Sequence, residues 1–259
     1  VGTVALVASA PFFDDRHMNA RLRIGGRRVR VTAVQSMQQV SAVVEEALTT
    51  IGPTTDWDEA AFSALRGWPV TCGFHQDRLV IGGSRDLPNR LWLSRTGDLF
   101  NFDLGTGLDD EAIEFGLVSD PVNAIRGVFS GRHLQVFTSG AEWMVTGDPL
   151  TPSNIQLNRQ TRVGSPVDRL VPPVDVDGAT VFVARGGQGV HEFAYTDVSQ
   201  AYQANDLAIL ARHIVGMPVS MAYDQKARLL HLVMTDGAIG TLTLYRAEQV
   251  TAWTRQSGP

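Results

Sequence analysis

Four times after residue 70 the chain repeats one short phrase: a polar turn, an apolar strand, a second turn and a partner strand. The apolar strands fall at 78–83, 134–140, 180–187 and 229–237, so their starts lie 56, 46 and 49 residues apart. Each is entered from a turn: Gln76-Asp77, Ser130-Gly131, Asp177-Gly178 and Asp224-Gln225. Partner strands follow at 90–94, 142–145, 189–195 and 240–245, and the last unit carries a further strand at 249–254. A unit this small cannot bury its own apolar faces. Stacking against its neighbours is what supplies a core, and this constrains the fold more than any other feature of the chain.

The rhythm is that of β-propeller blades, whose repeats run about 40–50 residues. The reading is therefore all-β, with blades filling 70–259. Four units are few, because propellers use about 4–8 blades, so the ring is expected to be partial or irregular. Residues 1–50 read as a separate small β module, a barrel or half-sandwich. Strands are expected at 4–8, 21–24, 28–34 and 40–44, with Gly25-Gly26 as a hairpin turn and the alternate Arg residues on the solvent face. Residues 51–69 read as a connector with a helical turn capped by Asp56, in which Trp57 and Trp68 are expected to pack the connection against the next domain. One helix is expected near 205–214, capped by Asn205, with acid in its first turn and base in its last.

At 259 residues, 44% hydrophobic and 19% charged, the chain has the composition of a soluble globular protein. No apolar run reaches the roughly 18 residues of a membrane helix. The start carries neither an initiator Met nor the basic-then-apolar pattern of a signal peptide, which points to a segment of a longer protein. A net charge of −5 disfavours tight phosphate binding. Lys226 is the one lysine among 22 basic residues. That bias fits a GC-rich genome, or the use of Arg forks at interfaces. The lone Cys72 excludes an internal disulfide and reads as a small buried residue within an apolar strand.

The sequence has no phosphate loop of the Gly-x-x-x-x-Gly-Lys type, no His-Glu-x-x-His and no Gly-x-Ser-x-Gly. The six histidines never stand at ligand spacing, so no metal and no cofactor are expected. His75 and His133 fall near blade turns, where a bond to backbone is the ordinary role. Arg185-Gly186-Gly187-Gln188-Gly189 precedes no helix and reads as a tight hairpin. Asp109, Asp110, Glu111 and Glu114 form an acidic run that could serve glycoside hydrolysis, although a solvated loop before the strand at 113–115 is the simpler reading. Trp92, Trp143 and Trp253 lie within strands and are expected to fill the core.

Taken in order, the motifs resemble the tail nozzle, or tail tubular protein B, family of short-tailed bacteriophages. The resemblance runs through Gly67-Trp68-Pro69, the Phe-His-x-x-Arg-Leu-x-x-Gly-Gly stretch at 74–83, and Trp92, Ser94, Gly97, Asp98, Asn101 and Phe102. It continues through the acidic run, Asn123-Ala124-Ile125, the Thr-Ser-Gly-x-Glu-Trp stretch at 138–143, the segment from Pro149 to Gln160, and Val181 to Glu192. Residues 1–50 are similar to the FCCH module that precedes this region in some such proteins. The resemblance implies a non-enzymatic virion protein. Copies would form a ring, six-fold in the family's manner, that docks portal, adaptor and other tail proteins and conducts DNA without binding it specifically. Assembly would take place in the bacterial cytoplasm. Asp109, Asp110, Glu111 and Glu114 are then candidates for a lumen wall or rim, and Arg95 and Arg212 for interface ion pairs. Two other readings stand beside it: a carbohydrate-binding or carbohydrate-cleaving propeller for host attachment, and a propeller scaffold for cellular partners.

Overall fold

The computed structural model describes residues 2–118 and 123–257. The chain divides into two compact units, one of 1–69 with 84–87 and the other of 70–83 with 88–259.

The first unit is a single five-stranded antiparallel sheet, ordered β1 (Thr3–Val7), β4 (Gln39–Val44), β3 (Arg27–Ser36), β2 (Arg21–Ile24), β5 (Trp57–Glu59). Alternation decides its faces. Leu22, Val29, Val31, Val40 and Ala42 point into a core closed by Phe13. Arg21 and Arg30 point the other way and share Glu45, while Arg28 pairs with Glu46. The half-sandwich reading thus holds, but the connector does not stand apart. Residues 57–59 extend the sheet, with Trp57 opposite Ile24, where a helical turn was expected. Pairing with β2 supplies main-chain partners that a single helical turn could not. Trp57 meets Phe12 edge-on at 4.9 Å, and both Trp57 and Trp68 are exposed.

The second unit consists of four four-stranded antiparallel sheets. Blade 1 holds β6 (Thr71–His75), β7 (Arg78–Gly82), β8 (Arg90–Leu93) and β9 (Ile113–Gly116). Blade 2 holds β10 (Ile125–Ser130), β11 (Leu134–Thr138), β12 (Glu142–Thr146) and β13 (Gln156–Thr161). Blade 3 holds β14 (Val174–Val176), β15 (Ala179–Val183), β16 (Val190–Thr196) and β17 (Ala201–Asp206). Blade 4 holds β18 (Pro218–Asp224), β19 (Leu229–Met234), β20 (Ile239–Tyr245) and β21 (Val250–Gln256).

The second strand of every blade is the apolar strand read from the repeat. The preceding turns explain why: Gln76 and Asp77 have φ of 46° and 56°, and Asp177 and Gly178 have 50° and 83°, the left-handed pair that a tight hairpin requires. The blades bury the faces that they turn towards one another. One core joins blades 1 and 2 (Val80, Leu91, Leu93 with Leu134, Val136, Trp143). An aromatic core joins blades 2 and 3 (Phe137, Met144 with Phe182, Phe193, Tyr202), and a third joins blades 3 and 4 (Val176, Val181, Val190 with Leu230, Leu232, Leu242). Among the described residues no core joins blade 4 to blade 1.

The helix expected near 205–214 does not form. Asn205 and Asp206 end β17, and a run of turns follows, in which Ala211 N–H donates to Ala208 and Ile214 N–H to Ala211. The cause is local. An α-helix would need Leu207 C=O to accept from residue 211, but that carbonyl accepts from the Trp253 indole N–H at 2.8 Å. Cys72, expected inside, is exposed on β6. Among the described residues no helix is long and apolar enough to cross a membrane.

Candidate functional site

The acidic run lies in the loop between β8 and β9, and the fold uses up most of its charge. Arg95 pairs with Asp110, and this hydrogen bond holds the Asp110 carboxyl below its ordinary range and raises the guanidinium. Glu111 Oε2 accepts three main-chain N–H groups, from Thr106 (2.8 Å), Gly107 (2.6 Å) and Leu108 (2.8 Å). Successive N–H groups that converge in this way make an anion nest, and here the chain's own carboxylate fills it. These bonds, led by that from Leu108, lower the Glu111 pKa. Glu114 pairs with Arg90 across the sheet at 2.8 Å. Asp109 contributes its main-chain carbonyl, which accepts from Arg78 at 2.8 Å. The structure thus brings Arg95, Asp109, Asp110 and Glu111 together in one loop. Glu114 stands nearby on β9, and Arg212 lies apart beyond β17, paired with Asp206 at 3.0 Å. These partners engage Asp110, Glu111 and Glu114 within the chain, while Asp98, Asp103 and Asp109 leave the loop net negative.

The residues that sequence reasoning missed are arginines bonded to carbonyls of other segments. Arg78 is fully buried at the start of β7 and donates to Ser94 O (2.7 Å), Glu111 O (2.6 Å), Asp109 O (2.8 Å) and, in blade 2, Leu150 O (3.2 Å). Burial lowers its pKa. Arg126 on β10 donates to Pro166 O and Arg169 O, Arg169 donates to Pro218 O of blade 4, and Arg246 reaches back to Val176 O and Glu192 of blade 3. The histidines read as turn residues also reach across blades to side chains: His75 Nδ1 lies 2.8 Å from Ser130 Oγ, and His133 Nδ1 lies 3.5 Å from the Tyr202 hydroxyl.

Among the described residues, two surfaces of the second unit bear on binding. One is the outward face of blade 4. Alternation puts Leu230, Leu232, Leu242 and Leu244 towards blade 3, and Leu229, Val233, Ile239, Tyr245 and Val250 on the opposite face. Val233, Tyr245 and Val250 are 39–40% exposed there. Among the described residues no core cluster contains a side chain of this face. The other is a cavity of about 330 Å³ between β6, β10 and the segment 170–173. Among the described residues no three His, Cys, Asp or Glu side chains converge as a metal ion would need.

No family model matches the chain, and no curated protein matches it. Solved structures do. A streptogramin B lyase structure aligns over 99% of this chain and 73% of its own, with a TM-score of 0.51 and 10% identity. The β-propeller domain of Myceliophteria thermophila Cps50 (Swd1) aligns over 85% of this chain and 66% of its own, with a TM-score of 0.42 and 12% identity. At such identity the likeness concerns the fold alone, and together with the four stacked antiparallel sheets it establishes an all-β chain of β-propeller architecture.

Proposed function

We propose that this chain is a structural component of a tailed-bacteriophage virion, of the nozzle type, whose copies assemble into a ring around the DNA path. The observation that carries the reading is the outward face of blade 4, which leaves Val233, Tyr245 and Val250 exposed on one sheet surface. This face mixes exposed apolar side chains with His231, Thr241 and Thr243, and a half-apolar surface suits a head-to-tail contact between copies. Heterologous contacts of that sort close rings. The outer strand β21 adds an edge with a single charged residue, Arg255, which does little to repel another strand.

The six-fold ring, the portal, adaptor and other tail proteins as neighbours, and assembly in the bacterial cytoplasm follow from the family resemblance. A net charge of −5 suits a conduit that lets DNA slide, since like charge keeps phosphates mobile. Asp110 and Glu111 have partners in their loop and Glu114 has one on the sheet, so in this reading repulsion of DNA comes mainly from the protein's field as a whole.

The test is mass photometry and negative-stain electron microscopy of the protein, alone and in particles labelled with an antibody to it. Rings should appear, and Val233→Glu with Val250→Glu should return them to monomers while the unfolding midpoint stays unchanged. Monomers at every salt concentration, together with no label on particles, would refute the reading.

A further inference from the structure

We infer that the cavity between the first strands of blades 1 and 2 binds a small carboxylate with an apolar body. Its walls are Val70, Val128, Leu170, Pro172 and Pro173, with Thr71, Cys72 and Arg126 as the polar groups. A volume of about 330 Å³ lies at the lower end of small-molecule sites, which span about 300–1,000 Å³. The composition fits such a site as well: an apolar lining with a few polar groups that fix orientation.

Arg126 sets the class of ligand. A guanidinium has five N–H donors. Here Nε donates to Pro166 O at 3.0 Å and Nη2 to Arg169 O at 2.9 Å, which fixes the plane of the group and leaves three donors unspent. Among the described residues no carboxylate pairs with it. Asp168 acts on it only from farther away, and burial lowers its pKa. A half-buried cation with a fixed plane and unspent donors is complementary to a planar carboxylate. A phosphate would need several donors, and the cavity offers one arginine with neither a helix N-terminus nor a second base among its lining residues. The apolar walls would take the body of the ligand. This site is independent of the ring, because its lining includes no side chain of blade 4.

Cys72 lines the cavity and is the chain's one cysteine, so it reports on occupancy without ambiguity. The experiment follows the rate at which N-ethylmaleimide alkylates Cys72 in the presence of octanoate, octanol or acetate. Octanoate should slow alkylation saturably, and octanol and acetate should need concentrations at least about tenfold higher, the worth of one charge-assisted hydrogen bond. Arg126→Gln should abolish the preference for octanoate over octanol, and Arg126→Lys should retain part of it. Loss of the bonds to Pro166 and Arg169 could unfold the glutamine variant, so Leu170→Glu provides a second route. Leu170 is half exposed, and a carboxylate there would occupy the charge of Arg126 and weaken octanoate protection about tenfold. The inference is overturned if octanol protects as well as octanoate, if no acid protects at millimolar concentration, or if the folded Arg126→Gln and Leu170→Glu variants are protected like the parent.

Discussion

Replacing Arg78 with Met keeps the aliphatic stem in the core and removes the head that bonds four carbonyls. Two of those carbonyls belong to Asp109 and Glu111 in a loop that solvent reaches, so water can replace the lost donor. The other two, on Ser94 and Leu150, belong to buried residues and would be left without one. Each buried orphan costs about 1–3 kcal/mol, which puts the gross loss at about 2–6 kcal/mol. Against this stands the desolvation of the guanidinium, which the variant no longer suffers and which amounts to several kcal/mol before the bonds are counted. The head also joins blade 1 to blade 2, so the loops at 94–111 and 148–151 lose a common anchor. The two terms are of similar size, so the lost anchor decides the sign, and the net expectation is a destabilisation of about 1–3 kcal/mol, or roughly 2–12 °C in Tm for a unit of this size. Arg78→Lys should fall between the two, since an ammonium has three donors and no fork. Urea unfolding checks this through the midpoint at unchanged slope. A loss below about 1 kcal/mol for Arg78→Met would show that the carbonyls find other partners and that the clamp argument is wrong.

Glu142 lies fully buried on β12 and accepts from Thr161 Oγ1, Val163 N (3.2 Å) and Gly164 N (2.7 Å), with burial raising its pKa above the ordinary 4.5. The folded state therefore holds this proton more tightly than the unfolded state, and stability falls as pH rises from about 4.5 through the raised value. Glu142→Gln should remove that slope in a series of urea midpoints against pH, and an unchanged slope would show that other groups cause it. Gly164 has φ of 75°, and a Cβ there would come 2.5 Å from Ser139 O, so Gly164→Ala should lower stability by about 2–4 kcal/mol in the same assay.

The legible part of this fold is where local chemistry and tertiary packing ask for the same thing. Asp177-Gly178 wants a left-handed turn, and the blade needs its hairpin there. The same agreement holds at Gln76-Asp77, where no glycine helps, because the apolar residues on both sides alternate in register. The reading failed where a local preference met a stronger distant partner. Residues 205–214 carry a sound helix cap and suitable end charges, yet Ala208 and Val215 are wanted in the core of blades 3 and 4 while Ile209 and Leu210 face solvent. Trp253, nearly 50 residues away, holds the carbonyl that would have begun the helix. Trp57 failed for the same reason: β2 offers a strand edge, which a capped turn cannot outbid.

The candidate site was legible as residues and illegible as chemistry. The acidic run is where it was expected, but its meaning depends on main-chain N–H and C=O groups that no side-chain pattern records. Glu111 answers the nest at 106–108, and Arg78 answers four carbonyls, so a loop that looks like a field of bare charge is held by the backbone. The arginine bias shares this explanation. An ammonium delivers its donors from one point, whereas a guanidinium spans two or more acceptors in a plane. Segments that end in loops present their carbonyls in pairs: Pro166 with Arg169 to Arg126, and Val176 with Asp177 to Arg246. Lysine could satisfy one member of each pair and would lose the planar fork that holds both. The composition therefore fits blades clamped through backbone acceptors, and Arg126 differs from Arg78 and Arg246 in lining a cavity.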